Sequence, residues 1–388
     1  MRRKRFNKIW MIPCLILAGF LIFVGIRMAT MDAKIDFTID YVTPKTDFSG
    51  IDYQPGFGQW AVALNGKTVA RSAEELPAQP TASTSKMILA LSIMEKKPFN
   101  LGETGEPITI TNDIYNIYTN YVAVGGSTTA VQIGETISEY DALASALIAS
   151  SNNMADALAI WAFSSLEEYQ KYAQEMVIKL GAKQTTIGPD ASGFNAGTTS
   201  TAEDLALIGE AVLKQPVLAE IVGKTSAIVP VAGEIENTNE LLGTNGIIGI
   251  KTGYIGDASG YCLVSGYKES EEIVTVALLG APYRQTSFDA SLEIVKRAQE
   301  KIQSRELVPA EQTVAHYQTW WTGNVPVVVE KALSGIVISD ASVAINSEYL
   351  IVNTSESEYT VPVSVEDFPK EPSFWQKFLH VFGWTAEK

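Results

Sequence analysis

Three short motifs in this sequence contain, between them, the side chains that a serine needs to attack an acyl group. In chain order they are Ser83-Thr84-Ser85-Lys86, Ser150-Ser151-Asn152 and Lys251-Thr252-Gly253. One such motif arises readily by chance in 388 residues, whereas the ordered triple is far rarer. A serine hydroxyl becomes nucleophilic only when a nearby base takes its proton. The three motifs together therefore indicate an enzyme that forms a covalent acyl intermediate.

The first motif places a nucleophile and a base on one helical face. If Ser83 opens a helix, Lys86 follows one turn later, within hydrogen-bond reach of the hydroxyl. A lysine amine can act as a base when burial or a second cation lowers its pKa, and Lys251 is the candidate for that cation. Taken alone, the motif is better explained by a capping serine and a solvated lysine. The apolar residues 87–89 that follow favour a buried Lys86 instead.

The second motif lies where one helical pattern ends and another begins. At such a corner Ser150 and Asn152 can both point into a cleft. The hydroxyl could relay a proton between Lys86 and a leaving amine, and the amide could hold a substrate carbonyl and Lys86. The overlapping tripeptide 151–153 fits the same pattern, but the apolar phase of the following helix favours Ser150 and Asn152. Two capping residues in a loop are the alternative for this motif taken alone.

The third motif precedes a predicted strand and can present its side chains at a strand edge. Lys251 and Thr252 would then face an anion, and Gly253 would let a substrate backbone approach closely. An edge of this kind can pair with an extended peptide. The backbone N–H groups of Ser83 and Tyr254 are candidates for an oxyanion hole. A chance surface Lys-Thr-Gly is the alternative for this motif taken alone.

The sequence excludes two common hydrolase mechanisms from the region that carries these motifs. Both of its histidines, His316 and His380, follow residue 305. A Ser-His-Asp triad or a histidine-ligated zinc site cannot form there, and we expect neither a metal nor another cofactor. Cys262 is the one cysteine beyond the apolar N-terminal segment, so it has no disulfide partner there. We interpret it as a small buried apolar residue.

The apolar segment near the N-terminus is long enough to cross a bilayer. Residues 9–26 are uncharged and lie between a basic cluster at 2–5 and Arg27. The basic flank predicts a cytoplasmic N-terminus with everything after the helix outside. A cleaved signal peptide is the alternative, but the long apolar run and the lack of a small-x-small cleavage site favour an uncleaved anchor.

The rest of the chain is strongly acidic. Six of the 29 basic residues and none of the 44 acidic residues lie in the first 30 positions, so the remainder has a net charge of −21. Such a body binds nucleic acid poorly and is repelled by an anionic membrane surface. We therefore expect no nucleic-acid partner.

Apolar patterns predict the elements that must position the motifs. Residues 87–94 are apolar almost all round, which predicts a buried helix behind Ser83. Helical patterns flank the second motif, and strands are predicted at 261–267 and 273–279 after the third. Short β-type runs after residue 306 predict a small all-β domain. Aromatic residues of the C-terminal tail line one helical face, which could lie in a membrane interface or pack on the β domain.

Taken together, these features resemble the serine D-Ala-D-Ala carboxypeptidases, which are low-molecular-mass penicillin-binding proteins. The likeness covers about residues 50–305, and the β domain with its amphipathic tail also matches the family plan. Beyond the motifs, the matching stretches are Gly134-Glu135-Thr136-Ile137, Leu180-Gly181, the helix start at 200–204, and Lys251-Thr252-Gly253-Tyr254 to Gly260-Tyr261-Cys262-Leu263-Val264. The resemblance implies an α/β (α+β) fold of the β-lactamase/transpeptidase type, with an antiparallel sheet between helical layers and a helical insertion around Ser150.

The resemblance also implies a role for each motif residue. Carried over one by one, these are Ser83 as nucleophile, Lys86 as its base, Ser150 and Asn152 as relay and positioning groups, and Lys251, Thr252, Gly253 and Tyr254 as substrate-binding groups. Two departures bear on substrate preference rather than on the reacting groups. Thr81-Ala82 stands where the family usually has Pro-Ala, and Asn153 stands where it usually has an acid.

The implied reaction is removal of the terminal D-Ala from peptidoglycan stem peptides through an acyl-enzyme on Ser83, with β-lactams as inhibitors. A D,D-endopeptidase or transpeptidase on the same site is one alternative, and a β-lactamase is disfavoured because no deacylating glutamate is recognisable. An inactive wall-binding scaffold is an alternative of another class, against which the intact Ser83, Lys86 and Lys251 argue.

The predicted segments follow the chain from one end to the other. They are a cytoplasmic basic segment at 1–8, a transmembrane anchor at 9–30, a linker at 31–50, a penicillin-binding serine peptidase domain at 51–305, a β domain at 306–370 and an amphipathic tail at 371–388. The expected location is a bacterial cell membrane, with the catalytic domain on the extracytoplasmic side.

Overall fold

The structure, a computed structural model, describes residues 11–42, 48, 50–337, 341–346, 348–353, 358–366 and 368–384. The predicted basic segment at 1–8 lies outside these residues. The α-helices are α1 (Met11–Ala29), α2 (Lys86–Lys96), α3 (Asn112–Ala123), α4 (Glu139–Leu147), α5 (Asn152–Phe163), α6 (Leu166–Lys179), α7 (Ala202–Lys214), α8 (Pro216–Val222), α9 (Arg284–Lys301) and α10 (Phe374–Val381). Within the described residues, Ala82–Ser85 and Thr244–Gly246 form 3₁₀ turns.

The β-strands are numbered in the same way. They are β1 (Asp36–Ile39), β2 (Gln59–Leu64), β3 (Lys67–Arg71), β4 (Gln79–Pro80), β5 (Pro107–Thr109), β6 (Thr136–Ser138), β7 (Thr199–Ser200), β8 (Ser226–Val229), β9 (Gly233–Glu236), β10 (Gly249–Tyr254), β11 (Tyr261–Glu269), β12 (Glu272–Ala281), β13 (Arg305–Val308), β14 (Thr313–Thr319), β15 (Gly323–Val329), β16 (Leu333–Gly335), β17 (Ser342–Ile345), β18 (Tyr349–Asn353) and β19 (Glu358–Val365).

The chain divides into two compact units. The larger unit is Thr46–Ser304, and the smaller unit combines Met1–Lys45 with Arg305–Lys388. All three motifs lie in the larger unit. The smaller unit therefore takes its residues from both ends of the chain.

A five-stranded antiparallel sheet forms the centre of the larger unit, in the order β10-β11-β12-β2-β3. Thr275 of β12 faces α7, where its hydroxyl donates to the Ala206 carbonyl over 2.8 Å. Ser265 of β11 faces α9, with its hydroxyl 2.9 Å from that of Ser291. Thr275 pairs with Gly266, the neighbour of Ser265, and successive residues of a strand point to opposite faces. The two helices therefore cover opposite faces, which confirms the predicted sheet between helical layers.

The helices around the first two motifs form one apolar core. Met87, Ile88 and Leu89 of α2 have no exposed surface, which confirms the buried helix predicted behind Ser83. They pack with apolar residues of α4, α5 and α6 in a single cluster. Burying each such side chain contributes about 1.5–3 kcal/mol to folding. The elements that carry Lys86 and Asn152 are therefore held by a common core.

The smaller unit contains a six-stranded sheet in the order β1-β14-β15-β19-β18-β17. The all-β character predicted after residue 306 agrees with this sheet. The linker predicted at 31–50 is wrong over Asp36–Ile39, because these residues form β1 and pair with β14. The Phe37 ring packs 4.8 Å from that of Tyr317. Local pattern could not show a strand whose partner lies almost 280 residues further along the chain.

Helix α1 is exposed along nearly its whole length. Within it, Ile12–Ala29 has a mean hydropathy of 2.2 over 18 residues, and only 6% of that window is buried. By length and composition this helix can cross a membrane. A signal sequence has the same character, so membrane anchoring remains a prediction.

Helix α10 confirms the helical form predicted for the C-terminal tail, whose last residues, 385–388, are outside the described part. His380 stacks on Trp320 with ring centroids 4.1 Å apart, and the Gln376 amide donates to the Trp321 carbonyl over 3.2 Å. Phe374 and Trp375 are about two-thirds exposed. One side of the helix thus contacts the β region, while another presents aromatic rings to solvent.

Candidate active site

Ser83 and Lys86 are in direct contact. Ser83 lies in the 3₁₀ turn before α2, and Lys86 is the first residue of that helix. The Lys86 amine lies 2.8 Å from the Ser83 hydroxyl oxygen. The predicted contact across one turn is therefore present, although Ser83 precedes the α-helix rather than opening it.

The Lys86 amine is completely buried and has three hydrogen-bond partners among the described residues. Besides the Ser83 hydroxyl, it contacts the Asn152 side-chain oxygen at 2.8 Å and the Ser192 carbonyl at 2.7 Å. Both of these can only accept from it. A neutral amine that donates to these two oxygens keeps its lone pair for the Ser83 hydroxyl, as a general base must.

Burial lowers the pKa of both lysines in the site, Lys86 and Lys251. It lowers the pKa of Lys86 to about 7, although the carboxylates of Asp156 and Asp190 oppose this shift. Lys251 is also fully buried, and burial followed by the nearby Lys86 charge holds its pKa well below its usual range. Lys86 is thus close enough to disfavour a charge on Lys251, whereas the predicted effect of Lys251 on the pKa of Lys86 stays a prediction.

The second motif lies at the corner between α4 and α5, as predicted. Asn152 contacts Lys86, whereas Ser151 caps α5 and Asn153 binds the backbone of Thr129 through its side chain. Ser151 and Asn153 of the overlapping tripeptide therefore stabilise the local backbone, and Asn152 provides the amide that contacts Lys86. Ser150, only 6% exposed, has a positive φ of 60°, and its hydroxyl makes no hydrogen bond to the described residues. Its predicted relay role remains a prediction.

The third motif forms half of β10, at the edge of the sheet. A Cβ at Gly253 would lie 3.0 Å from both the Ser83 nitrogen and the Thr81 oxygen, so only glycine fits without displacement. The strand therefore runs directly beside the Ser83 turn. The Thr252 hydroxyl lies 2.6 Å from that of Thr238, and the half-exposed Tyr254 ring stacks on Tyr261 with centroids 4.1 Å apart.

Four residues near the motifs were not found from the sequence. They are Tyr121 on α3, Asp156 on α5, Ser192 in the loop 188–198, and Thr238 before β10. Asp156 had a usable signal, since it is a lone acid four residues after Asn152 in an otherwise apolar helix. Ser192 and Thr238 lie in irregular segments, where no periodicity marks them.

The described residues support neither a thiol nucleophile nor a metal ion at this site. Burial raises the pKa of Cys262 to about 12, which keeps its thiol protonated and agrees with its interpretation as an apolar residue. No group of three or more His, Cys, Asp or Glu side chains within the described ranges is arranged to hold a metal ion. Catalysis without a cofactor stays a prediction.

The fold is that of penicillin-binding DD-transpeptidases and carboxypeptidases. A peptidoglycan synthesis regulatory factor (PBP3) from Streptococcus pneumoniae is 18% identical, with a TM-score of 0.62 over 79% of this chain and 98% of its own. A point mutant of the Streptomyces K15 DD-transpeptidase is 22% identical, with a TM-score of 0.55 over 62% of this chain and 96% of its own. Such identities show the fold alone.

The chain belongs to the D-alanyl-D-alanine carboxypeptidase family, peptidase S11, whose model matches residues 61–283. It is 27% identical over 203 residues to the D-alanyl-D-alanine carboxypeptidase DacF of Bacillus subtilis and 30% identical over 210 residues to DacB2 of Mycobacterium tuberculosis. Each match covers 50% of this chain. The chain spans 51% of the length of the first relative and 65% of the second.

Proposed function

We propose that this protein is a serine D-Ala-D-Ala carboxypeptidase that removes the terminal D-Ala from peptidoglycan stem peptides. The observation that carries the proposal is the Ser83 hydroxyl held 2.8 Å from a buried Lys86 amine. The absence of any histidine from the larger unit's sequence leaves Lys86 as the base. Family membership supports the same substrate class.

The proposed reaction is acyl transfer to water in two steps. Ser83 attacks the carbonyl of the penultimate D-Ala while Lys86 takes the hydroxyl proton. Ser150 passes a proton to the leaving amine, the C–N bond breaks, and D-Ala departs. Water then attacks the acyl-enzyme and regenerates the Ser83 hydroxyl.

The neighbouring groups of the site bind and orient the peptide in this proposal. Asn152 holds Lys86 and the substrate carbonyl, and Lys251 with Thr252 binds the terminal carboxylate. The N–H groups of Ser83 and Tyr254 stabilise the oxyanion, supported by the closeness of Gly253 to the Ser83 nitrogen.

The proposed location is the outer face of a bacterial cytoplasmic membrane. Helix α1 supports an N-terminal anchor, and the basic residues before it favour a cytoplasmic N-terminus. The substrate is the cell wall outside that membrane, and β-lactams would acylate the same serine.

The test compares the wild-type full chain in detergent with Ser83→Ala, using a fluorescent penicillin and D-Ala release from a Lys-D-Ala-D-Ala peptide. We expect covalent labelling and D-Ala release only from the wild type. Ser85→Ala is the matched control, because the buried Ser85 hydroxyl in the same turn has no hydrogen-bond partner among the described residues. It should keep both activities.

The possible outcomes separate the competing functions. Labelling without D-Ala release would favour an endopeptidase, a transpeptidase or a binding role on the same nucleophile. Hydrolysis that persists in Ser83→Ala would refute this site. An unlabelled wild type that releases no D-Ala would refute the proposed function altogether.

A further inference from the structure

A buried carboxylate close to Lys86 has no part in the reaction described so far. Asp156 is 5% exposed and lies on α5, four residues after Asn152. Residues four apart on a helix share a face, so Asp156 projects from the side of α5 that holds Lys86. Among the described residues, Asp156 makes no hydrogen bond or ion pair with Lys86.

Asp156 binds two neighbours of the lysine instead. One carboxylate oxygen accepts the Tyr121 hydroxyl at 2.6 Å, and the other accepts the Ala191 N–H at 2.9 Å. The Tyr121 oxygen also lies 3.0 Å from the Ser192 hydroxyl. Because Tyr121 gives its one proton to the carboxylate, the Ser192 hydroxyl donates to Tyr121. Asp156 and Tyr121 therefore hold both residues of the Ala191–Ser192 pair.

This pair lies in a loop that has no helix or strand of its own. Residues 188–198 are irregular, yet the Ser192 carbonyl must lie 2.7 Å from the Lys86 amine. With that carbonyl and the Asn152 oxygen both fixed, the remaining direction of the amine is towards Ser83. A displacement of the carbonyl would turn the amine away from the hydroxyl. The aim of Lys86 thus depends on what anchors this loop.

We propose that Asp156, together with Tyr121, is a positioning residue that fixes the Ser192 carbonyl and thereby aims the Lys86 amine at Ser83. The proposal rests on the proposed function. It gives α5 two tasks on one face: Asn152 holds the lysine directly, and Asp156 holds the loop that supplies its other acceptor.

The charges around Asp156 make the proposal testable by pH. The titratable groups that interact with Asp156 are Lys86, Asp190, Tyr121 and Tyr169. Lys251 interacts in turn with Lys86. Burial raises the pKa of Asp156 to about 6, against the opposing hydrogen bond of Tyr121. It is therefore charged at neutral pH, where it raises the pKa of Lys86. Removing the charge should lower the pKa of Lys86 and move the acid limb of activity to lower pH.

The experiment measures the second-order rate of labelling by a fluorescent penicillin from pH 5.5 to 9, with the full chain in detergent. We expect Asp156→Ala to slow labelling by roughly 10- to 100-fold on the plateau above about pH 8, because the amine is misdirected. Tyr121→Phe should slow it in the same way but less. Asp156→Asn keeps an acceptor without the charge, and its acid limb should move down by about 1 pH unit.

Two buried residues outside the hydrogen-bond network of Lys86 provide matched controls. Glu210 on α7 is 2% exposed and accepts the Gly66 N–H, so Glu210→Ala also removes a buried carboxylate that holds a turn. Tyr267→Phe removes a buried hydroxyl that has no hydrogen-bond partner among the described residues. Either control can lower thermal stability, but neither should change the labelling rate or its acid limb.

The outcomes distinguish this inference from the proposed function. A folded Asp156→Ala that is labelled within about twofold of wild type, with its acid limb unmoved, would overturn the positioning role alone. If Asp156→Ala does not fold, an unmoved acid limb in Asp156→Asn together with a wild-type rate in Tyr121→Phe overturns it. A wild type that is not labelled at all would refute the proposed function and the positioning role together.

Discussion

At the scale of single residues, burial explains why a lysine can replace histidine here. An exposed lysine is protonated at neutral pH and cannot take a proton from serine. The Lys86 amine is fully buried, and this burial lowers its pKa to about 7. The contacts of Lys86 with Asn152 and Ser192 then fix its direction. Burial thus makes the base available, and hydrogen bonds aim it.

The first prediction concerns the pH dependence of acylation. Lys86 must be neutral to act, and its pKa is lowered to about 7, so the labelling rate should rise with pH and level off above about 8. Lys86→Arg is the informative variant, because arginine stays protonated and should be inactive throughout this range. A wild-type rate that is flat from pH 5.5 to 8, or that rises only near pH 10, would contradict the assignment of Lys86 as base.

At the scale of elements, the packing of α2 in the apolar core holds Lys86 in place. Lys86 begins this helix, and the following turns are buried against α5 and α6. A loosened α2 would therefore affect the whole larger unit rather than Lys86 alone. The core contribution can be separated from the chemistry, because Ile93 lies two turns beyond the lysine with no exposed surface.

The prediction at this scale is that Ile93→Ala lowers the free energy of unfolding by about 2–5 kcal/mol, since it opens a cavity in a closed core. Ile178→Ala on α6 is the control, because Ile178 is 51% exposed and the change should stay within about 0.5 kcal/mol. Urea unfolding of both variants measures the difference. Equal effects of the two substitutions would show that the core does not close around α2 as described.

The elements also show what the sequence could and could not predict. The apolar run at 87–94 identified α2, and the ordered motifs located residues that the structure brings into contact, such as Ser83, Lys86 and Asn152. Helix α3 was missed because it is rich in tyrosine and asparagine and has one buried residue, Ile114, so no apolar run marks it in the sequence. The Ser192 carbonyl was missed because a backbone atom in an irregular loop leaves no sequence signal. Contacts made by backbone atoms and by distant loops need the fold.

At the scale of the whole molecule, both chain ends contribute to the smaller unit. Strand β1 follows α1 closely and joins the β-sheet, and α10 contacts that sheet's β14–β15 turn. The Phe20 ring of α1 lies 6.0 Å from the Phe382 ring that follows α10. Two candidate membrane segments therefore occur in one unit, but they differ in strength. Helix α1 contains an 18-residue window with a mean hydropathy of 2.2, whereas α10 has eight residues in all.

The last prediction follows from that difference. The full chain should stay in bacterial membranes after a carbonate wash, and a variant lacking residues 371–388 should stay as well. A variant starting at Met31 should be released, because an eight-residue helix cannot span a bilayer and a body of net charge −21 is repelled by anionic lipid. Starting there keeps Asp32, whose carbonyl accepts the Trp320 indole N–H, and all of β1. Retention of this variant would make the tail the main anchor. Release of the full chain itself would favour a cleaved signal sequence and contradict an anchor at α1.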